Sequence, residues 1–347
     1  LAVVVLWASF LRIYDGGERP VQAPPAPVQQ AEAPAPPPPR PEPQVAPAPP
    51  PGTQTVNIID GMTGKRQEII IGTPAAKRPA GDPRLLEATR YGPIPRIGTD
   101  GVRPADVYAR KPAVSDTPAP NAVRIAIVVG GLGAGATATA NALAKLPGAV
   151  SLAFTPYGSD LETQTAQARD KGHEVLLQVP MEPGDYPDND PGPQTLLTSL
   201  SAEQNVDRLH WLFSRFQGYV GVINAMGAGF TSSEKALAPV LGDVAKRGLI
   251  YVDDGSSPRS QAGQIASANK QPYAKAEVAI DAVPSATEID NALKRLETIA
   301  RSGVVAVGYS SALPASIDRI AKWAKAAHAR GIVLVPVTAA TVRARSS

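Results

Sequence analysis

The chain predicts an α/β protein: a single parallel (β/α)7–8 barrel preceded by a proline-rich linker. Three observations lead there. From Arg124 to Val337, short apolar runs alternate with helical patterns. Several of those helical patterns start at Ser or Asp and stop at Gly, the expected punctuation for caps and left-handed exits. The repeats also number seven or eight, which favours a closed parallel barrel over the runner-up, a doubly wound sheet.

The expected strands are Arg124–Val129, Ala149–Phe154, Glu174–Val179, Tyr219–Ile223, Leu249–Val252, Glu277–Ile280, Val304–Val307 and Ile332–Val335. Between them the periodicity predicts helices over Thr137–Lys145, Leu161–Lys171, Ala202–Phe216, Ser233–Arg247, Ser260–Asn269, Ala286–Arg301 and Ser316–Arg330. Glycine follows four of them, in Lys171-Gly172, Arg247-Gly248, Ser302-Gly303 and Arg330-Gly331.

The part before the barrel divides by composition. Residues 1–14 begin with the uncharged run Leu1–Leu11, expected to be part of a transmembrane anchor or a signal segment. Residues 15–52 form a linker: 15 of the 32 residues from Pro20 to Pro51 are proline, so no core forms and the segment extends as a semi-rigid spacer. Residues 53–120 read as a wrapping segment. Within it Val56–Ile59 and Glu68–Ile71 are strand candidates, and Asp82–Lys111 is expected to lie extended over the barrel domain, residues 121–347.

Charge and composition exclude some functions. The formal net charge is +3. Residues 1–120 hold 13 Lys/Arg against 11 Asp/Glu and the remainder 21 against 20, so the barrel has no basic field and nucleic acid is not an expected partner. With no cysteine there are no disulfides or thiolate metal sites. The loop Gly130-Gly131-Leu132-Gly133-Ala134-Gly135 follows a strand, but its spacing does not fit a dinucleotide-binding turn.

In a parallel barrel the site is built at the C-terminal ends of the strands. Those positions carry Gly130 and Gly131, then Tyr157, Glu182, Tyr186, Asp188, Asp190, Asn224, Asp253, Asp254, Asp281 and Tyr309. Carboxylates, amides and tyrosines suit sugar hydroxyls, with Tyr157, Tyr186 or Tyr309 as stacking faces. Glu182, Asp253 and Asp254 are the candidates for acid/base chemistry, or for holding a hard cation such as Mg²⁺ or Ca²⁺. The competing reading is that Asp and Asn at strand ends only cap the next helix. No histidine falls in this ring. His173 precedes the third strand and reads as structural, while His210 and His328 read as surface or interface residues.

Five stretches carry a family resemblance. They are Gly172-His173-Glu174-Val175-Leu176-Leu177, Pro180-Met181-Glu182-Pro183, Pro191-Gly192-Pro193, Asn224–Thr231 and Arg247–Asp253. In order and spacing they resemble the divergent polysaccharide deacetylases, bacterial barrel domains related to metal-dependent carbohydrate esterases. The resemblance implies an envelope location, in the periplasm, and a polysaccharide or peptidoglycan fragment as ligand. With the anchor reading, the membrane is met only through the N-terminal segment, and an envelope protein is a further candidate partner.

Typical members of that family carry an Asp-Asp pair where this chain has Gly130-Gly131. They carry histidine where it has Gln178, and Asn-His-Met-Gly where it has Asn224-Ala225-Met226-Gly227. The implied base and metal ligands are thus replaced. No cofactor, and in particular no zinc, is expected. The expectation is an envelope-tethered, polysaccharide-binding domain without the zinc mechanism. The alternatives are a hydrolase with a rebuilt carboxylate site and a structural docking protein.

Overall fold

The computed structural model describes residues 81–111 and 122–342, together with the backbone of two strands, 53–59 and 66–72. The candidate anchor at 1–14 and the linker at 15–52 lie outside the described residues. No helix of the described residues is long and apolar enough to cross a membrane.

The chain divides into two units, Leu1–Thr73 and Pro74–Ser347. In the first, β1 (Thr53–Ile59) and β2 (Arg66–Gly72) pair antiparallel, with Thr53 opposite Gly72 and Ile59 opposite Arg66. Both strands are rich in β-branched residues, which suit a pleated ladder.

The second unit begins with a strap. Its hairpin is β3 (Leu86–Thr89) with β4 (Gly92–Pro95), followed by a single helical turn, α1 (Pro104–Val107). Arg247 ties the strap to the barrel. This side chain is 10% exposed and bonds Glu87 Oε1 (2.7 Å), the Pro95 carbonyl (2.8 Å) and Asp243 Oδ2 (2.9 Å). His210, expected as a surface or interface residue, joins this cluster, 3.0 Å from Asp243 Oδ2.

The barrel then runs in βα order. It consists of β5 (Val123–Leu132), α2 (Ala136–Lys145), β6 (Ser151–Phe154), α3 (Leu161–Asp170), β7 (Val175–Met181) and α4 (Ala202–Phe213). Next come β8 (Gly221–Met226), α5 (Ala228–Thr231), α6 (Glu234–Lys246), β9 (Ile250–Asp253) and α7 (Ala262–Ala268). The last elements are β10 (Tyr273–Lys275), β11 (Val278–Ala279), α8 (Ala286–Ala300), β12 (Ala306–Ser311), α9 (Pro314–Ala327) and β13 (Ile332–Leu334). Ser201, Ser233 and Ser285 cap α4, α6 and α8 through their hydroxyls, and Ser201 with Gln204 completes a capping box. Gly172 and Gly248 take the left-handed conformation that ends α3 and α6 (φ +86° and +72°).

The parallel sheet runs β10-β9-β8-β7-β6-β5-β12-β11, with β13 beside the start of β5. Its two edge strands are successive pieces of one segment. Ala276 N–H donates to the Asp253 carbonyl on one side, and Glu277 N–H donates to the Val307 carbonyl on the other (both 2.9 Å). Residues 273–280 therefore bridge β9 to β12 and bring the curled sheet round on itself, which is the predicted barrel architecture. The runner-up sheet would carry helices on both faces. Here one face packs against the helices, and the other encloses a small core that includes Ala126, Val128, Ala153, Leu176, Ile223, Val252 and Val307.

Candidate functional site

Strand alternation decides which side chains reach the barrel mouth, because successive residues face opposite sides of the sheet. Val128, Leu176, Ile223, Val252 and Val307 all belong to the inner core. Two residues further along each strand, the next inward layer is Gly130, Gln178, Ala225, Asp254 and Tyr309.

Gln178 organises this layer. Its Oε1 accepts the Gly131 N–H (2.6 Å), and its Nε2 donates to the Tyr309 hydroxyl (3.3 Å). Gln178 is 5% exposed. A Cβ on Gly130 would collide with the Tyr309 hydroxyl and lie 2.9 Å from both Gln178 Nε2 and Tyr309 Cε2. The tyrosine and the amide thus fill the space that a side chain at Gly130 would need. Burial, then the nearby Asp254 and Asp281 charges, push the Tyr309 hydroxyl well above the usual tyrosine range, so it stays protonated as a hydrogen-bonding group.

Asp254 is the carboxylate of the layer. It is 8% exposed and accepts the Ser256 N–H (2.8 Å), while its own N–H donates to Asn224 Oδ1 (3.0 Å). Burial pushes its pKa up against the hydrogen bonds from Ser256 and Asn224 that favour the anion.

Other sequence-predicted site residues serve the scaffold. Asp253 faces the helix side with Tyr251. There it accepts from Gly255 N–H (2.9 Å), Ser260 Oγ (2.6 Å) and Tyr273 OH (3.3 Å). Asn224 is also on that side and donates to the Met226 carbonyl (2.6 Å). Asp281 accepts from the Ser311 backbone and hydroxyl and from Ser316 Oγ (2.7 Å), tying β11 to the start of α9. Glu182 takes the Thr198 N–H (2.6 Å) and hydroxyl (2.9 Å), closing the base of the long loop after β7.

That loop carries Tyr186, Asp188 and Asp190. Tyr157, on the loop after β6, donates its hydroxyl to the Pro193 carbonyl and lays its ring against Gly192. Burial, helped by Asp190, pushes its pKa up to about 12. Asp190 Oδ1 accepts the Gly192 N–H (2.9 Å). Tyr157 and Tyr186 nevertheless keep exposed faces, and so do Met226, Val283 and Leu313. Each of the five stands at the C-terminal end of a different strand, so the mouth has an apolar rim over a polar floor. Met226 also holds a left-handed backbone (φ +60°), a costly conformation for a side chain of its kind.

Sequence reasoning listed Tyr309 but gave no role to Gln178. The signal was an amide two residues after an inward Leu176, which becomes readable only once the strand's facing is known.

The donor set does not suit zinc, which takes thiolate, imidazole and carboxylate ligands. Gln178 already spends its oxygen on Gly131, Ala225 has no donor atom, and the Asn224 amide is engaged by the Asp254 N–H and the Met226 carbonyl. Among the described residues no group of three or more His, Cys, Asp or Glu side chains is placed to hold a metal ion.

The fold is that of a deacetylase-type barrel. Residues 127–341 match the family described as divergent polysaccharide deacetylase, and the chain belongs to that family. It is similar to the crystal structure of an uncharacterized protein from Agrobacterium tumefaciens C58, at 42% identity and a TM-score of 0.68, covering 71% of this chain and 98% of that one. Two curated relatives are more distant. The Escherichia coli K12 protein YibQ is 23% identical over 171 residues, 49% of this chain and 53% of its own length. A Haemophilus influenzae protein is 24% identical over 125 residues, 36% and 44% respectively. Both are uncharacterized, and the chain spans about half their length.

Proposed function

We propose that this domain binds a cell-wall polysaccharide or peptidoglycan fragment at the barrel mouth and does not run the zinc-dependent deacetylation that the family resemblance implies. One observation carries the reading: the Gln178–Tyr309 pair occupies the space beside Gly130, where the resemblance implies an aspartate of the base and metal-ligand set. Zinc in such chemistry lowers the pKa of bound water to about 7 and polarises the carbonyl. A floor of amide, phenol and a single carboxylate supports hydrogen bonding to sugar hydroxyls instead, and the rim tyrosines support stacking on sugar faces. The apolar run Leu1–Leu11 and the proline-rich spacer support a tethered, periplasmic placement.

A second reading, a hydrolase rebuilt on carboxylates, draws on Asp254, whose raised pKa suits a general acid. Its nearest candidate partner, Asp253, faces the other side of the sheet.

The test is calorimetric titration of the full chain with chitin oligosaccharides and peptidoglycan fragments, with acetate release assayed with and without added zinc. Binding without acetate release is expected. Zinc-stimulated release would overturn the proposal.

A further inference from the structure

The charge of the barrel mouth is one-sided. The loops that follow β5 to β9, β11 and β12 hold seven acids and one cation, Arg259. Residues 121–347 as a whole are balanced, with 21 Lys/Arg against 20 Asp/Glu. The acids are Asp160, Glu182, Asp254, Asp281 and the three aspartates of the loop after β7. Lys275 does not offset them. It is the register partner of Asp253, and its neighbours Ala274 and Ala276 take the inward positions. A cleft lined by one sign of charge, with low-dielectric walls, concentrates ligands of the opposite sign.

At the floor the imbalance becomes specific. Asp254 is nine-tenths buried and makes no ion pair among the described residues. Arg259, on the same loop, is exposed. One Asp254 oxygen accepts the Ser256 N–H (2.8 Å), and the leading charge that acts on the carboxylate is another acid, Asp253. Burying a carboxylate without a counter-charge costs free energy that a cationic partner would offset. Tyr309 shares the layer. Its phenol oxygen accepts from Gln178 Nε2, and its own proton goes to no acceptor among the described residues. The charges that act on this hydroxyl, Asp254 and Asp281, are both negative. The floor thus offers an anionic acceptor and a neutral donor, with no cation to hold the anion.

We propose that the mouth selects glycans with free amino groups: the ammonium of an amino sugar pairs with Asp254, and a neighbouring hydroxyl oxygen accepts from Tyr309. The proposal rests on the glycan-binding reading and names its ligand class. An ammonium brings a full charge and three donors to the carboxylate. An N-acetylated sugar brings a neutral amide with one N–H, and a methyl group to a polar floor.

The experiment titrates the full chain by calorimetry with glucosamine tetramer and with N-acetylglucosamine tetramer, in wild type and in Asp254→Asn. Constant ionic strength and pH 6 keep the free amines protonated. The glucosamine tetramer is expected to bind wild type about tenfold tighter, the scale of one hydrogen bond to a charged group. Asp254→Asn is expected to remove that preference. Equal or tighter binding of the N-acetylated tetramer in wild type overturns the amine assignment and leaves the glycan-binding reading standing. A preference that survives in Asp254→Asn also overturns it, because the loop acids would then suffice. If neither tetramer binds, the amine assignment falls, and the peptidoglycan titration decides the glycan-binding reading separately. Calcium alone is titrated as a last arm and is expected to be silent. Calcium binding that Asp254→Asn abolishes gives the carboxylate to a metal ion and overturns the proposal. If Asp254→Asn fails to fold, the ¹³C shift of the Asp254 carboxyl in wild type, unmoved by the glucosamine tetramer, serves as the overturning result.

Discussion

The Gln178 amide and the Tyr309 hydroxyl meet across the barrel at 3.3 Å, joining β7 to β12 through the floor of the mouth. The two strands are not neighbours in the sheet. The contact therefore depends on the curl of the sheet from β7 through β6 and β5 to β12, and it determines what the first strand can carry at Gly130.

Gly130→Ala will destabilise the domain by about 1–3 kcal/mol, the usual cost of overpacking. The loss will shrink in a Tyr309→Ala background, because the colliding ring is gone. Urea unfolding of the four members of the double-mutant cycle reads the coupling. Additive losses would mean that the two residues do not share this space.

Asp253 and Asp254 will separate by phenotype. Asp253→Ala strips acceptors from Gly255, Ser260 and Tyr273 and should cost about 1–3 kcal/mol of stability. Asp254→Asn keeps the shape of the floor and should cost little stability while weakening glycan binding. Thermal unfolding and calorimetry on both variants check this, and the reverse pattern would move the ligand to the helix side.

Glu174 makes stability pH-dependent in a known direction. It is fully buried, and burial raises its pKa above the ordinary 4.5, against hydrogen bonds from Thr338 and Arg110 that favour the anion. The folded protein therefore holds this proton more tightly than the unfolded chain does. The contribution is present below about pH 4.5 and is lost as pH rises through the raised value. Wild type should lose stability relative to Glu174→Gln across that window, measured by urea unfolding from pH 4 to 8. A constant difference would contradict the assignment.

Arg247→Ala should release the strap. It leaves the Asp243 carboxylate half-buried without its guanidinium partner, and breaking such a pair costs about 3–5 kcal/mol. Hydrogen exchange should show residues 86–95 losing protection before the barrel strands. Uniform loss of protection would mean that the strap and the barrel unfold as one unit.

The barrel was legible because its strands are apolar runs and its helices end at glycine. Strand β10 was not: Tyr273-Ala274-Lys275 is too short and too polar to stand out, and it pairs only because β9 lies beside it. The ring of strand-end residues was legible as a set, but not the side each one faces. Asn224 and Ala225, or Asp253 and Asp254, exchange roles on a shift of one residue, and only the register of each strand settles which points inward. At β5 the strand continues to Leu132 with a register shift after Val129, placing Gly130 and Gly131 inside the strand rather than after it. The partners Thr198 of Glu182 and Ser311 of Asp281 lie far along the chain, where local pattern gives no signal.

Because residues 273–280 pass from one edge of the sheet to the other, the peptide chain itself serves as the clasp of the ring. A sheet closed by pairing alone could open by parting its two edges. Here β10 and β11 stay covalently joined whatever hydrogen bonds break, so opening must come from melting a ladder, such as β10 from β9 or β11 from β12, and never from parting the two edges themselves. A single cut between Lys275 and Val278 would remove that tether and leave two free strand edges available to other chains.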